Sequence, residues 1–484
     1  MNKGRLRFEF VLCDMLASLI VWVLFVAFRK AINDIQIFES IRFLIPNYSY
    51  LISLFFFPFY CISIHYLCGF YLNPIRKSRV AEIFSTFTSS AFISISIFSI
   101  RMIKDISVSY QYFYISLLVL FGLLFIFTLS FRSIVSSKIR NKFKTKKWTV
   151  NTIIIGTGNN ALRIASEFEK YARHNTLIGF ISNDRHTAVP TNKVLGNLFQ
   201  LDSIIEKYDI KETIIALDDA DDYQLFKIIN SLYKFNIEIQ FTPRLYEILT
   251  GSAKIKNLDI SPLVNITDST MSDWEESVKR LFDIIVSSLA LLLVAPLVLS
   301  FILLIKLNSK GPVFYKQERV GQFGRTFKIL KFRTMYTGSE KGVPRLSSPN
   351  DQRITNVGKV LRKYRLDEIP QFWNVLKGQM SVVGPRPERK YYINRIIDQA
   401  PYYCLLYRVR PGLTSWGPIK IGYSDTVDKM IERLNYDIIY MENMSLLNMS
   451  LTPCNHSQIP TLIFHTFIKT PDNLSKNFQQ RYIN

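Results

Sequence analysis

Long apolar runs separated by short polar segments fill the first third of the chain. They lie at about residues 10–28, 48–72, 83–100 and 112–131, and each is close to the ~20 residues with which an α-helix crosses a hydrocarbon core of ~30 Å. The pattern predicts four transmembrane helices within residues 1–147; the alternative is a set of buried helices in a large soluble domain. The first run is not expected to be a cleaved signal peptide, since it has no small-residue cleavage site.

The basic residues at the ends of these runs predict which way the helices face. Thirteen lysines and arginines flank one side, among them Lys3, Arg132 and Lys138, and five flank the other side. Because basic residues concentrate on the cytoplasmic side, we expect the N-terminus and everything after the fourth run in the cytoplasm. Asp14 lies inside the first run, where a charge is costly. The sequence leaves open whether it contacts a neighbouring helix or the headgroup layer.

After residue 148 the pattern changes to short apolar strands that alternate with helices. Strands are predicted at 150–155, 177–181, 213–217 and 237–241. Alternation of this kind is typical of a parallel α/β sheet, so a Rossmann-like domain is predicted over residues 148–266.

A G-x-G-x-x-A turn that contains Gly156 and Gly158 follows the first of these strands. Backbone N–H groups at such a turn can cradle a phosphate. The same glycines are also needed simply to pack a helix against a strand. We therefore expect a structural or regulatory domain with a weak nucleotide-like turn.

A fifth apolar run occupies residues 281–307 and has two unusual features. Pro296, near its centre, removes a backbone donor and kinks or breaks a helix. Basic residues lie at both ends, including Lys279 and Lys310. A simple span would place the basic remainder of the chain on the far side of the membrane. A re-entrant helix that enters and leaves on the cytoplasmic face is therefore predicted, with an ordinary fifth span as the alternative.

Composition narrows the classes of function. Of 484 residues, 48% are hydrophobic and 14% aromatic, and 60 Lys and Arg against 38 Asp and Glu give a net charge of +22. Such an excess suits anionic headgroups or phosphorylated substrates. Nucleic acid binding is not expected, because the basic residues flank apolar runs and form no single stripe. The five cysteines are scattered without a C-x-x-C pair, which argues against a disulfide framework or a zinc site.

Two adjacent carboxylates are the main candidates for catalysis. No histidine lies between residues 187 and 455, so chemistry there must rely on carboxylates, lysines or a metal held by oxygen. Asp367 and Glu368 stand at the start of a predicted helix that ends at Gly378. The positive N-terminal end of this helix and the nearby arginines would keep both carboxylates ionised. An ionised aspartate can attack phosphorus while Mg²⁺ cancels charge. Alternatively, Asp367 merely caps the helix.

Two arginines stand in stiff, proline-containing segments. Arg386 lies between Pro385 and Pro387, and Arg410 precedes Pro411. A guanidinium on a rigid backbone loses little entropy when it binds phosphate oxygens, although a surface-loop arginine is the plainer alternative. This part of the chain has no P-loop and no G-x-S-x-G turn, so kinase-like or serine-hydrolase chemistry lacks its parts.

Five segments of the C-terminal half closely resemble, in order, the motifs of bacterial sugar transferases. These are the polyprenyl-phosphate glycosylphosphotransferases of exopolysaccharide, capsule and O-antigen synthesis. The segments are KRLFD at 279–283, KFRTM at 331–335, LDEIPQ at 366–371, GPRPE at 384–388 and RPG at 410–412. The resemblance covers residues 274–447. The four apolar runs and the small α/β domain before them resemble the longer members of the family. It implies a four-helix transmembrane region, a Rossmann-like α/β middle domain and an α/β monotopic catalytic domain with a re-entrant membrane helix.

The resemblance also implies a reaction, that of an undecaprenyl-phosphate sugar phosphotransferase. Asp367 would attack a UDP-sugar and take the phosphosugar covalently while UMP leaves; polyprenyl phosphate would then attack the enzyme-bound phosphosugar. Glu368, together with Asp367, would hold Mg²⁺. Substrate or phosphate contacts are implied for Lys331, Arg333, Gln371, Arg386 and Arg410. The catalytic domain would face the cytoplasm at the bacterial inner membrane.

The chain departs from the family pattern in two places. Ala295 precedes Pro296 where family members often have serine, but the kink depends on the proline. The pattern also stops near residue 448, and residues 448–484 form an atypical tail in place of the usual acidic-hydrophobic helix.

Two alternatives to the transferase stay open from the sequence. The atypical tail favours an inactive membrane scaffold or nucleotide sensor. A membrane-bound sugar-nucleotide dehydratase would need a Y-x-x-x-K pair; Tyr223 and Lys227 have that spacing, but no second glycine-rich turn accompanies them. The sequence does not identify the sugar or decide whether the protein forms a homo-oligomer.

Overall fold

The chain forms two compact units. Unit 1 consists of residues 1–216, 255–263 and 271–279, and unit 2 of residues 217–254, 264–270 and 280–484. The computed structural model describes residues 3–33, 48–72, 77–104, 110–145, 148–171, 175–182, 188–218, 221–235, 237–243, 263–267, 270–339, 344, 351–422, 426–446 and 448. The predicted tail, 448–484, therefore lies outside the described residues except for residue 448.

Unit 1 begins with apolar helices. They are α1 (Lys3–Asn33), α2 (Tyr48–Leu67), α3 (Arg79–Lys104) and α4 (Tyr110–Lys144). Three of them contain stretches long and apolar enough to cross a membrane, namely Gly4–Arg29, Arg79–Ile100 and Tyr114–Lys144. Helix α2 has a shorter apolar stretch, Ile52–Leu67, and ends before the predicted run does because Gly69, at φ +73°, reverses the chain. The fourth long apolar helix among the described residues lies further along, at Asp273–Asn308. The protein is thus a multi-pass membrane protein.

The charge inside α1 is paired. Asp14 is fully buried and accepts two hydrogen bonds from Arg132 of α4, Nε to Oδ1 at 2.8 Å and Nη2 to Oδ2 at 2.7 Å. Tyr71 donates to the same carboxylate at 2.5 Å, and Arg132 also donates to Thr86 of α3 at 2.9 Å. Asp14 therefore contacts neighbouring helices, which answers the question that the sequence left open. Removing either Asp14 or Arg132 would leave the other as a buried charge without its partner.

Four parallel strands follow in unit 1. They are β1 (Val150–Ile155), β2 (Asn175–Ser182), β3 (Val194–Asn197) and β4 (Glu212–Ile215). Their order is β3-β2-β1-β4, with helix α5 (Asn159–Tyr171) between β1 and β2 and helix α6 (Leu201–Lys207) between β3 and β4. The isoleucines at 153–155 are fully buried, as expected for a strand covered on both faces.

Unit 2 adds an antiparallel pair that the sequence pattern missed. Helix α7 (Asp222–Tyr233) precedes β5 (Glu238–Phe241), which pairs antiparallel with β6 (Val264–Asn265). The chain therefore contains a mixed α/β sheet, not the purely parallel one predicted. A strand of two residues is too short to leave a periodic signal in the sequence.

Helix α8 spans Asp273–Asn308 and continues through Pro296. The segment is thus helical throughout, so Pro296 does not end the helix. By length and composition α8 would be able to cross a membrane. The re-entrant path therefore stays a prediction.

The rest of unit 2 surrounds two small sheets. Strands β7 (Phe314–Val320) and β8 (Thr326–Phe332) pair antiparallel, while β9 (Ser381–Val383) and β10 (Gly412–Thr414) pair parallel. The helices are α9 (Asn356–Lys363), α10 (Gln371–Leu376), α11 (Lys390–Gln399), α12 (Trp416–Ile421) and α13 (Val427–Glu442). An apolar cluster that includes Phe332, Leu361, Leu366 and Ile369 fixes the turn between α9 and α10.

Candidate active site

Asp367 and Glu368 lie in a tight turn between α9 and α10. Arg365 adopts the left-handed conformation at φ +53°, which is uncommon for a residue other than glycine. Leu366–Glu368 then form one 3-10 turn, and α10 begins only after Pro370. The carboxylates therefore lie in a 3-10 turn that leads into the predicted helix, and neither of these helix starts has a side-chain cap. The helix-capping alternative for Asp367 loses its support.

Glu368 is held by two cations from other parts of unit 2. The residue is 8% exposed, and its Oε1 accepts hydrogen bonds from Lys331 Nζ at 2.8 Å and from Arg386 Nη2 at 3.4 Å. Burial alone would raise the pKa of Glu368, but the charges of Lys331 and Arg386 outweigh it and hold that pKa well below its ordinary range. Glu368 is therefore ionised near neutral pH.

Asp367 has a different environment from its neighbour. It is also 8% exposed, yet among the described residues no other side chain binds its carboxylate, which accepts a hydrogen bond from its own backbone N–H. Burial raises the pKa of Asp367; the Lys331 charge opposes this, and the Glu368 charge adds to it. The sequence predicted one environment for both carboxylates, whereas the structure makes Asp367 the more basic of the two.

Arg386 extends from a backbone that is fixed on both sides. Strands β9 and β10 approach closely at two glycines, since a Cβ added at Gly412 would lie 2.1 Å from the nitrogen of Gly384. Gly412 N–H also donates to Pro385 O at 2.8 Å. The two proline-containing segments thus lie against each other, a contact that the sequence did not predict, and the first carries the guanidinium of Arg386 to Glu368.

Helix α13 supports the same segment from its other side. Asp437 is 2% exposed and accepts hydrogen bonds from Ser415 Oγ and from Gly417 N–H, the latter at 3.0 Å. The backbone N–H of Arg386 binds this carboxylate as well. Burial raises the pKa of Asp437, and these hydrogen bonds offset the rise only in part.

The ionic contacts around the Pro-Arg-Pro segment were not predicted from the sequence. Glu388 is buried and binds Arg319 Nη1 at 3.3 Å and the guanidinium of Arg433. Arg433 and Asp437 are four residues apart on α13, so they lie on the same face of that helix. In the sequence, the only indication of these contacts was the spacing of Arg433 and Asp437, two opposite charges four residues apart among apolar residues.

Among the described residues, three other residues predicted to bind substrate form no side-chain hydrogen bond or ion pair with Asp367 or Glu368. Arg333 is 6% exposed, and its guanidinium donates to the carbonyl oxygens of Ser309 at 2.6 Å and Lys310 at 3.2 Å, at the end of α8. Gln371 is buried, with an Nε2 that has no partner among the described residues. Arg410 is half-buried just before β10. Arg333 is therefore a helix-end contact here, and substrate binding by all three stays a prediction.

The carboxylates suit a hard cation such as Mg²⁺ if substrate completes its ligands. Mg²⁺ is usually bound through one or two carboxylates together with water and phosphate oxygens, and Asp367 and Glu368 supply two adjacent carboxylates. One oxygen of Glu368 already binds Lys331 and Arg386. Within the described ranges no group of three or more His, Cys, Asp or Glu is arranged to hold a metal. A dedicated protein cage is therefore not formed there.

The glycine turn in unit 1 is engaged by its own domain. Gly156 takes φ +127°, which favours glycine, and its N–H donates to Ile181 O at 2.9 Å. The carbonyl of Thr157 accepts a hydrogen bond from Ala188 N–H at 2.8 Å. Gly158 is buried before α5. These contacts give the turn a structural role, and nucleotide binding there stays a weak prediction.

Family comparisons match two parts of the chain. A family model described as bacterial sugar transferase matches residues 274–452. A second model, described as a CoA-binding domain, matches residues 67–243.

Curated relatives support the first match. The UDP-N-acetylgalactosamine-undecaprenyl-phosphate N-acetylgalactosaminephosphotransferase of Aeromonas hydrophila is 39% identical over 211 residues, 44% of this chain and 49% of the relative. The UDP-glucose:undecaprenyl-phosphate glucose-1-phosphate transferase of Escherichia coli (strain K12) is 33% identical over 258 residues, 53% of this chain and 56% of the relative. The exopolysaccharide production protein ExoY of Rhizobium meliloti (strain 1021) is 40% identical over 186 residues, 35% of this chain and 78% of the relative. The chain thus spans about half the length of the first two relatives.

Proposed function

The chain belongs to the bacterial sugar transferase family, and on this basis we propose that it transfers a sugar 1-phosphate from a UDP-sugar to undecaprenyl phosphate with release of UMP. Two relatives are named for this type of reaction, one with N-acetylgalactosamine and one with glucose. The observation that carries the proposal is the pair of buried carboxylates, one without a side-chain partner among the described residues and the other held by Lys331 and Arg386.

The two carboxylates have the properties that a covalent transfer needs. A carboxylate oxygen of Asp367 attacks the phosphorus that carries the sugar, the bond from that phosphorus to the UMP oxygen breaks, and UMP leaves with the electron pair. An oxygen of undecaprenyl phosphate then attacks the same phosphorus and releases the Asp367 carboxylate. The raised pKa of Asp367 makes its ionised form a better nucleophile than an ordinary aspartate.

Lys331 and Arg386 have a second role in this scheme. Their positive charges lie beside the nucleophile, where the diphosphate of the donor would bring negative charge, and such preorganised charges stabilise a phosphoryl transition state. Glu368 holds both cations in place before the substrate arrives. Mg²⁺ bound at Asp367 and Glu368 would supply further neutralisation of the diphosphate.

We also propose that α8 enters and leaves the inner membrane on the cytoplasmic face. Contacts from both sides of Pro296 support this path: Asp283 Oδ1 accepts Val382 N–H at 2.9 Å, and Arg333 Nη2 donates to Ile305 O at 3.4 Å. A straight helix would separate Asp283 from Ile305 by about 33 Å, close to the thickness of the hydrocarbon core. If α8 crossed the membrane, Val382 and Arg333, which belong to the same unit, would need to lie at opposite membrane surfaces.

Labelling of an introduced cysteine tests this topology. Tyr315 of β7 is 42% exposed, and Tyr315→Cys would be placed in a protein whose five native cysteines are serine. A membrane-impermeant maleimide should label it in inside-out vesicles but not in intact spheroplasts. Labelling in spheroplasts alone would indicate an ordinary span.

Turnover assays test the proposed reaction. Membranes that contain the protein would be incubated with undecaprenyl phosphate and UDP-glucose or UDP-N-acetylgalactosamine labelled in the sugar. We expect label in the lipid and equimolar UMP with at least one donor. Asp367→Asn should abolish both, whereas the control Asp398→Asn, at an exposed aspartate of α11, should retain them.

Two results would support the alternatives. Donor that binds without any turnover across a panel of UDP-sugars would indicate a scaffold or sensor. A keto-sugar product would indicate the dehydratase, although Tyr223 and Lys227 lie on the exposed side of α7.

A further inference from the structure

Helix α7 of unit 2 packs against the segment that leads into the Arg-Pro-Gly motif. Asn230 Nδ2 donates to Pro401 O at 2.6 Å, and the ring of Phe226 lies 6.4 Å from that of Tyr402, edge to face. Tyr233, at the end of the helix, contacts Tyr407 at 5.5 Å between ring centroids. Residues 226, 230 and 233 share one face of the helix, so a single face of α7 contacts the segment.

The contacted segment is short and directly joined to the active-site support. Residues Pro401–Arg408 form a 3-10 helix, and Arg410 and Gly412 follow within four residues. Gly412 N–H donates to Pro385 O at 2.8 Å, and the next residue, Arg386, reaches Glu368. Every link from α7 to Glu368 is therefore a described contact or a peptide bond.

Helix α7 lies before the residues that match the transferase family, 274–452. An aligned stretch of 186 residues makes up 78% of the ExoY relative, so that relative is far shorter than this chain. A contact made from outside the matched range is suited to adjusting the transferase site.

We infer that α7 is a positioning element for the transferase site. Through residues 401–412, the helix determines where Arg386 lies relative to the diphosphate of the donor. This inference rests on the proposed function. Phe226 and Asn230 are then positioning residues, and the segment around α7 sets the affinity of the site for a UDP-sugar. Any ligand or partner that shifts α7 would change that affinity.

A double variant with a matched control tests this role. Phe226→Ala/Asn230→Ala removes the ring contact and the hydrogen bond at two half-buried positions. Gln224→Ala/Ser231→Ala removes two polar side chains at exposed positions on a different face of the same helix. Both would be made in the full chain and assayed in membranes, with UMP release measured against UDP-sugar concentration.

The positioning role predicts a specific change in kinetics. The contact variant should raise KM for the UDP-sugar by roughly fivefold or more, the lower end of what the loss of one aromatic pair and one hydrogen bond produces. Its kcat should stay within about twofold, and amide hydrogen exchange of residues 401–412 should become faster. The control variant should leave KM, kcat and exchange unchanged.

A second background separates positioning from a merely structural effect. If α7 acts through Arg386, the KM increase should shrink or vanish when it is measured on Arg386→Lys, because the two changes then share one pathway. A KM equal to that of the control variant, or an increase that persists in full on Arg386→Lys, would overturn the inference. If the double variant does not fold, Asn230→Ala alone would be measured in the same way.

The same data distinguish the two proposals. Absence of UMP release from the unmodified chain would count against the proposed function. Normal release from the unmodified chain with unaltered KM in the contact variant would count only against the role of α7.

Discussion

Adjacent isosteric substitutions at the two carboxylates should change stability in opposite directions. Glu368→Gln leaves Lys331 and Arg386, whose side chains are 18% and 24% exposed, without their carboxylate. Breaking a buried pair costs about 3–5 kcal/mol, and partial access of both cations to water lowers the expected loss to about 2 kcal/mol. Asp367→Asn removes a buried charge that has no side-chain partner among the described residues and should stabilise the fold by about 1 kcal/mol.

The dependence on pH gives the same prediction a second test. The pKa of Glu368 is lowered, so its stabilisation is complete above the ordinary value of 4.5 and is lost only as the pH falls through the lower folded value. The pKa of Asp367 is raised above 3.8, so its ionisation costs stability at high pH and this cost disappears as the pH falls through the folded value. The gain in Asp367→Asn should therefore shrink on acidification before the loss in Glu368→Gln does.

Unfolding of the purified proteins in one detergent, followed by circular dichroism from pH 8 to pH 3, would measure both effects. The prediction depends on Lys331 and Arg386 binding Glu368 and not Asp367. If the free energy of unfolding changed in the same direction in both variants, this assignment of the two cations would be wrong. A stable but inactive Asp367→Asn protein would also separate loss of chemistry from loss of fold.

Three further predictions follow from other contacts. Lys331→Met should move the acidic limb of the pH–rate profile to higher pH, because the Lys331 charge then no longer opposes the burial that raises the pKa of the nucleophile Asp367. Lys331→Arg should leave the limb near its original position. Asp14→Ala should destabilise the helical region by about 3–5 kcal/mol in detergent unfolding, and adding Arg132→Met should restore much of the loss; an additive effect of the two changes would contradict their pairing. Gly412→Ala should lower the free energy of unfolding by about 1–3 kcal/mol and abolish most of the transfer activity, because its Cβ would lie 2.1 Å from a facing backbone nitrogen. Unfolding and turnover equal to those of the wild type would contradict that close approach.

The fold was predictable where the signal is local. Long apolar runs predicted the helices of unit 1, and alternation predicted strands β1, β2, β4 and β5, because hydrophobic periodicity follows directly from helix and strand geometry. The end of α2 at Leu67, just before Gly69, and the two-residue strand β6 were not predictable in this way. A reversal set by one glycine and a very short pairing depend on contacts from distant parts of the chain.

The candidate site was predictable in its members but not in its geometry. The motifs identified Asp367, Glu368, Lys331 and Arg386 together. They gave no means of seeing that both cations bind Glu368, or that Arg333 instead binds the carbonyl groups at the end of α8. Those partners are fixed by tertiary packing, since they come from segments far apart in sequence.

The mass of the protein during turnover tests the central claim most directly. The full chain would be mixed with a UDP-sugar in the absence of undecaprenyl phosphate, quenched, and analysed intact and after digestion. If Asp367 takes the sugar phosphate covalently, the peptide that contains Asp367 should gain the mass of one sugar phosphate. This mass gain should disappear when undecaprenyl phosphate is added. Continued formation of lipid-linked sugar phosphate with no such mass gain at any time would contradict the central claim.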